Sequence, residues 1–398
     1  MLSIAPAPGA RRLLSVSIVA RLPLATLSIA LLVHTQHVTG SFASAGIVTA
    51  AYAVALGVGG PFLGGLADRR GQTGVLLGSA AVAAALLVAT ALLPGGTPLV
   101  VPVALATGIG LATPPVGACL RALLPSLLDD RDALGGAYAV EASASELTWV
   151  FGPPLALAVG ALWSTGAALA AGGLVLFAAT AAFAAEPASR SARSGREATR
   201  PRGGALQVPA MRTLVLVMAA VGVLFGAVEV AVTAAAETLD DAAAAAPLLG
   251  LWGAGSLIGG VVATRIGSAL EGTAGLVGML AALAAGHLAL VLAAGSLAGI
   301  GAVLLVAGAA IAPTYATVHA MVDDVAPASA VTEAFAWLAT AAALGAAVGA
   351  ATGGAIAEHT GPAATFALAA GAGLLAWLTA AVRTPTLAPA APALAARM

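Results

Sequence analysis

No lysine occurs in this sequence: all 16 basic residues are arginine, and only 8% of the 398 residues are charged. A soluble domain averages about 25% charged residues, so a fold surrounded by water on every side is excluded. One cysteine, Cys119, rules out an internal disulfide. A formal net charge of −1 gives no electrostatic case for nucleic acid as a partner. Barrel strands are excluded because the apolar runs are continuous, rich in Ala, Leu and Gly, and far longer than a membrane strand. No serine–histidine or metal-ligand cluster lies within an apolar run. No catalytic residue, cofactor or metal is therefore expected, and the chain is not read as an enzyme.

What is present is hydrophobic: 60% of residues, with a mean hydropathy of +1.03. At about 20 apolar residues per span, the length holds roughly twelve transmembrane helices. The runs fall near 13–33, 44–66, 75–94, 99–123, 136–162, 166–185, 212–235, 245–265, 272–293, 297–321, 330–356 and 362–382. Arg11-Arg12 before Leu13 imitates a signal peptide, but Arg21 and Pro23 interrupt the run and no good cleavage site follows. The first run is read as an uncleaved helix. Arginines gather at every second loop, as at Arg69-Arg70, Arg131 and the cluster Arg190 to Arg212, while the intervening loops contain none. By the positive-inside rule both termini are cytoplasmic, the number of spans is even, and the inner membrane is the expected location.

Residues 186–210 are Arg-, Ser- and Pro-rich and read as a cytoplasmic linker between two six-helix bundles, 13–185 and 211–383. Residues 1–12 form a cytoplasmic N-terminus, and 384–398 a disordered Pro/Ala-rich tail. The halves repeat: a shift of 196 lays Gly64, Ala67, Arg69 and Gly71 on Gly260, Ala263, Arg265 and Gly267.

The stretch Gly64-Gly65-Leu66-Ala67-Asp68-Arg69-Arg70-Gly71 is too polar at its end for a bilayer core, so it marks a turn on one membrane face. Gly71 permits a tight reversal. The stretch resembles the loop 2–3 signature of the major facilitator superfamily, with Gln72 and Thr73 in place of its last basic positions. That resemblance implies two pseudo-symmetric six-helix bundles and a secondary transporter. Its cavity is lined by spans 1, 4, 7 and 10, and spans 2, 5, 8 and 11 form the interface between halves. It also implies a gating role for Gly64, Asp68, Arg69 and Gly71.

Small residues recur every four positions on those four spans: Gly60 and Gly64, Gly152, Ala156 and Gly160, Gly255 and Gly259, and Gly345, Gly349 and Gly353. The spacing permits close helix approach, which the resemblance places at the interface between halves. Gly152-Pro153 resembles the centre of the span 5 motif of proton antiporters, and Pro153 is expected to kink that helix.

Ionisable residues within spans are costly unless paired or turned toward a cavity. Counting at 1.5 Å per residue puts Arg21 roughly 12 Å and Glu146 roughly 16 Å from the cytoplasmic surface, with Arg121 and Glu141 within about 10 Å. Depth matching gives the pairs Arg21–Glu146 and Arg121–Glu141, with Asp68 as a second partner open to Arg121; the shallow pair Arg121–Glu141 reads as part of the gate or as a static ion pair near the headgroups. Glu146 is the expected proton-coupling carboxylate, with Arg21 as the cation whose pairing its protonation would release, and Glu229 is the next candidate. Tyr315 and His319 are cavity candidates, and His287 is read as lipid-side or packing. The expected activity is proton-coupled export of a small, apolar or weakly polar solute by a monomer in the lipid bilayer. Uptake or facilitated diffusion by the same fold stays open. So do a membrane sensor or scaffold and an Asp-rich prenyltransferase using Asp129-Asp130-Arg131-Asp132 and Asp323-Asp324.

Overall fold

The computed structural model describes residues 8–128, 131–192, 204–266 and 272–387, and every regular element among them is helical. In an apolar medium a chain must satisfy its own backbone polar groups, and long Ala/Leu/Gly runs do so as helices. The first half comprises α1 (Pro8–Thr39), α2 (Phe42–Arg70), α3 (Gln72–Ala91), α4 (Val100–Ala112), α5 (Val116–Leu123), α6 (Arg131–Leu162) and α7 (Thr165–Ala185). A short helix α8 (Pro187–Ser191) follows. The second half comprises α9 (Pro209–Thr238), α10 (Ala245–Ile266), α11 (Gly272–Ala293), α12 (Leu297–Gly308), α13 (Ile311–Val325), α14 (Val331–Thr360) and α15 (Pro362–Val382), ending in α16 (Thr384–Leu387). Eleven helices or helix pairs are long and apolar enough to cross a membrane. The 32-residue α6, whose side chains are described only in part, stands fifth in order and brings the long helices and helix pairs to twelve.

Two spans are broken, and at corresponding places. The fourth is interrupted at Thr113-Pro114-Pro115, where two prolines remove backbone donors. The tenth is interrupted at Ala309-Ala310, and Ala309 lies 196 residues after Thr113, the shift that aligns the loop motifs. Interruptions at matching positions of two repeats point to a binding region near mid-membrane.

The charged stretch expected to be a turn is mostly helix. α2 continues through Asp68, Arg69 and Arg70, and only Gly71 separates it from α3. Gly71 has φ +86°, a backbone state that side chains resist, so one residue reverses the chain. Thr73 donates to the Ser189 carbonyl at 3.4 Å, which places this reversal beside α8. The end of the molecule that carries Gly71, α8 and the start of α9 is termed the linker side.

The glycine ladders divide in a way their spacing does not announce. On α2, Gly57, Gly60 and Gly64 do face the other half, against Thr340, Leu344, Thr332 and Ala336 of α14. Gly345 and Gly349 face the backbone of Ala219 and Val223 on α9, and Gly353 lies against Ala227 and Thr365, all within their own half. Gly255 and Gly259 likewise abut the span 10 backbone at Leu305 and Ala309. The expectation that these last five line the interface between halves is corrected. A small residue marks where two backbones approach, and in this half the closest approach is internal. Gly222 and Gly226 of α9 answer Gly345 and Gly349 by facing the carbonyls of Ala342 and Ala346. Gly349→Ala is therefore expected to destabilise by about 1–3 kcal/mol through overpacking, and thermal unfolding in detergent should fall accordingly. An unchanged melting temperature would show that α9 and α14 yield freely.

Candidate functional site

Glu141 is the centre of the buried polar region. It lies on α6, fully buried, and accepts from two arginines, with a histidine of the other half just beyond hydrogen-bond distance. Arg121 of α5 donates to it twice, Nε to Oε2 at 3.0 Å and Nη2 to Oε1 at 2.8 Å. Arg21 of α1 donates from Nη1 to Oε1 at 2.5 Å. His319 of α13, from the other half, brings Nδ1 to 4.0 Å from Oε2. Forked guanidinium–carboxylate bonds are directional as well as strong, so this carboxylate fixes α1, α5 and α6 against one another.

The cluster extends across the division between halves. The Tyr138 hydroxyl, one turn before Glu141 on α6, donates to Asp323 Oδ2 on α13 and lies 3.3 Å from the Arg121 carbonyl. A phenol has one proton, so only one of these acceptors is served at a time. The Tyr138 ring meets His319 edge-on at 5.6 Å between centroids and tilts against Phe335 at 6.3 Å. From His319 the aromatic contacts continue to Tyr315 at 5.9 Å, then to Phe225 of α9 at 6.1 Å and to Trp252 of α10 at 5.0 Å. His287 closes the row against Trp252 at 5.8 Å. Tyr315 and Phe225 are half-buried, whereas His319 and His287 are buried. The row runs beside the break in span 10, since Gly308 packs against the Trp252 backbone.

A second polar contact sits on the linker side. Asp68 reaches across from α2 to the first turn of α14, accepting from Thr332 N at 3.1 Å and Glu333 N at 3.0 Å. Backbone N–H groups at a helix start have no intrahelical partner and carry the positive end of the helix dipole. The carboxylate satisfies two of them at once. Above it, Thr340 Oγ1 donates to the Gly57 carbonyl at 2.9 Å, so α2 and α14 are tied at two levels.

Two halves joined across α2 and α14, with paired breaks in spans 4 and 10, match a known family. The profile described as Major Facilitator Superfamily covers residues 13–328 of this sequence. The chain belongs to the Major Facilitator Superfamily. Members of this superfamily are transporters of small molecules in the lipid bilayer, and the chain is a multi-pass membrane protein. No curated protein matches it in sequence. Among solved structures, a bacterial homologue of the iron transporter ferroportin in an outward-facing state superposes with a TM-score of 0.78 at 15% identity, covering 95% of this chain and 100% of that one. The human organic anion transporter MFSD10 (TETRAN) gives 0.68 at 19% identity, over 94% and 100%. The transporter FucP in its outward conformation gives 0.70 at 16% identity, over 94% and 98%. At these identities the likeness is one of fold.

In this superfamily member the residues singled out from sequence fall into three groups. Arg121 and Glu141 meet directly, and Asp68 meets the start of α14. Arg21 donates to Glu141, a partner that depth matching did not give it; a long guanidinium side chain reaches a carboxylate at another level. The side chains of Glu146 and Pro153 lie outside the described residues, while Gly152 is buried. Glu229 stands exposed on α9, one turn beyond Phe225 and on the same face. His287 is fully buried against Trp252, so the lipid-side alternative is corrected. Arg69 is exposed at the end of α2. Tyr138 and Asp323 are the residues sequence reasoning missed. Asp323 was assigned to an acidic loop cluster, yet it belongs to α13 and faces α6; Asp129 and Asp130 lie outside the described residues.

Proposed function

We propose that the protein exports a small, apolar or weakly polar solute by alternating access, coupled to proton entry, with the linker side in the cytoplasm. The observation that carries this reading is the location of the contacts between halves. Asp68 on α14 and Tyr138 on Asp323 both bridge toward the linker side, next to a buried charged centre. A molecule closed there and built of two repeats is suited to rocking about that centre. The outward-facing states of the ferroportin homologue and of FucP support the same assignment of facing.

The solute class is inferred from the aromatic row beside the break in span 10. Phe225, Trp252 and Tyr315 offer aromatic faces and edges with few hydrogen-bonding groups, which suits an apolar body with a small polar handle. Glu146 is the proposed coupling carboxylate, near mid-membrane on an interface helix, and Glu229 is its alternate at the Phe225 face. The Arg121–Glu141–Arg21 cluster holds the site's shape, and Gly64, Asp68, Arg69 and Gly71 form the gate. The transporter acts as a monomer.

Reconstitution in proteoliposomes tests this. Wild-type protein should accumulate a hydrophobic solute when a proton gradient is imposed, and Glu146→Gln should bind that solute but lose gradient-driven accumulation. If Glu146→Gln still concentrates solute in response to the gradient, Glu146 is not the coupling site. Solute equilibration indifferent to the gradient would establish facilitated diffusion, and failure to move any solute would favour a sensor.

A further inference from the structure

The outer surface of α2 carries two grooves to which the transport reading assigns no ligand. One, of about 460 Å³, runs between α2 and α14 from Val54 to Arg69, with Trp337 and Leu344 on its far wall. The other, of about 560 Å³, lies between α2, α3 and α4 and ends at Arg70. Leu66 lines both, so the grooves run on either side of a single ridge. Both are almost wholly apolar, both open sideways, and both are headed at the same end by an exposed arginine. Consecutive residues of a helix diverge by about 100°, which is why Arg69 and Arg70 serve different grooves.

We propose that one anionic phospholipid straddles α2, with an acyl chain in each groove and its phosphodiester held by Arg69 and Arg70. The dimensions agree. The fifteen helical rises from Val54 to Arg69 span about 22 Å, which exceeds the roughly 15 Å of one leaflet's hydrocarbon. A chain entering at the arginine level is therefore enclosed for the depth of its leaflet. The chemistry agrees as well: guanidinium groups recognise phosphate through paired N–H donors, and arginines at the membrane surface attract anionic headgroups. The acidic neighbours are turned elsewhere. Asp68 accepts from the start of α14, and Glu333, which shares the first groove, accepts from Ala205 N at 3.4 Å. Since the first groove has one wall from each half, its acyl chain would touch α2 and α14 together.

Two features make the site specific enough to test. A one-chain lipid can fill only one groove, and a neutral headgroup forfeits the arginines. Gly78 lines the second groove and has no atom within 4 Å of where a Cβ would stand, so Gly78→Leu blocks that groove without a clash at its root. The full-length protein would be delipidated in detergent, given phosphatidylglycerol, phosphatidylcholine or lysophosphatidylglycerol, and analysed by native mass spectrometry for retained lipid. Wild type should retain one phosphatidylglycerol in preference to either comparator. Arg69→Gln with Arg70→Gln should bind it about thirtyfold more weakly, at about 1 kcal/mol per arginine. Gly78→Leu, with unchanged melting in the same detergent, should reduce it to the level of the one-chain lipid. Equal retention of phosphatidylcholine, or no loss in the double variant, would overturn the role of the arginines. Full retention by Gly78→Leu would overturn the straddling arrangement.

Discussion

Glu141→Gln is expected to destabilise the protein by about 3–5 kcal/mol, the cost of removing one partner of a buried ion pair. Glutamine keeps the shape and one acceptor oxygen, but it leaves Arg21 and Arg121 without the negative charge to which both donate. It also places an amide N–H₂ where a guanidinium donor now points, turning an attraction into a contact between donors. The residue is fully buried, so water does not soften the loss. Thermal unfolding in detergent should fall steeply, and the same change combined with Arg121→Met should recover part of it, because one buried cation goes with the anion. Glu141→Gln melting like wild type would show that the cluster's stability comes from elsewhere. Transport alone could not decide this, since a protein that fails to fold also fails to transport.

The fold was legible because lipid leaves few choices. Continuous apolar runs without charge must be helices, and arginines confined to alternate loops count them. Only the ends moved: α1 continues six residues past Val33, to Thr39, and α2 absorbs the charged stretch up to Gly71. The breaks in spans 4 and 10 carried a readable signal, Pro114-Pro115 in one, but the partner break at Ala309-Ala310 has no proline and becomes visible only through the 196-residue repeat.

The site was legible where chemistry forces a partner and illegible where geometry chooses among several. Arg121 and Glu141 are the shallow opposite charges of neighbouring spans, so depth offers the pair, and the geometry chooses Glu141 where Asp68 was also open. Arg21 has a long side chain, and treating it as a point at its Cα level leaves out Glu141, which lies within its reach; the side chain of Glu146 lies outside the described residues. Glycine spacing states that a helix face is small without stating what approaches it, which is why Gly345 and Gly349 were given the wrong neighbour. Tyr138 and Asp323 are 185 residues apart and belong to different halves; nothing local marks a tyrosine as the partner of that aspartate.

Asp68→Asn is expected to leave the fold intact, slow transport and shift the protein toward a state open on the linker side. The carboxylate gives each oxygen to a backbone N–H of α14, so both donors are satisfied only by an acceptor-only group. Asparagine retains one oxygen and turns an amide N–H₂ toward the other donor, losing a charge-assisted bond and the attraction of a full charge for the helix start. The combined loss is about 2 kcal/mol, or about thirtyfold in the balance between closed and open states. Neither half depends on this contact for its own core, because it joins α2 of one to α14 of the other. Ala336→Cys supplies the reporter: that position is 3% exposed, lies under Gly64, and is uncovered only when α2 and α14 separate. The native Cys119 is buried and contributes little background. Thiol labelling at position 336 should rise sharply when Asp68→Asn is added, with melting nearly unchanged and solute flux reduced. Normal flux together with unchanged labelling would remove Asp68 from the gate and leave the contact with α14 as packing alone.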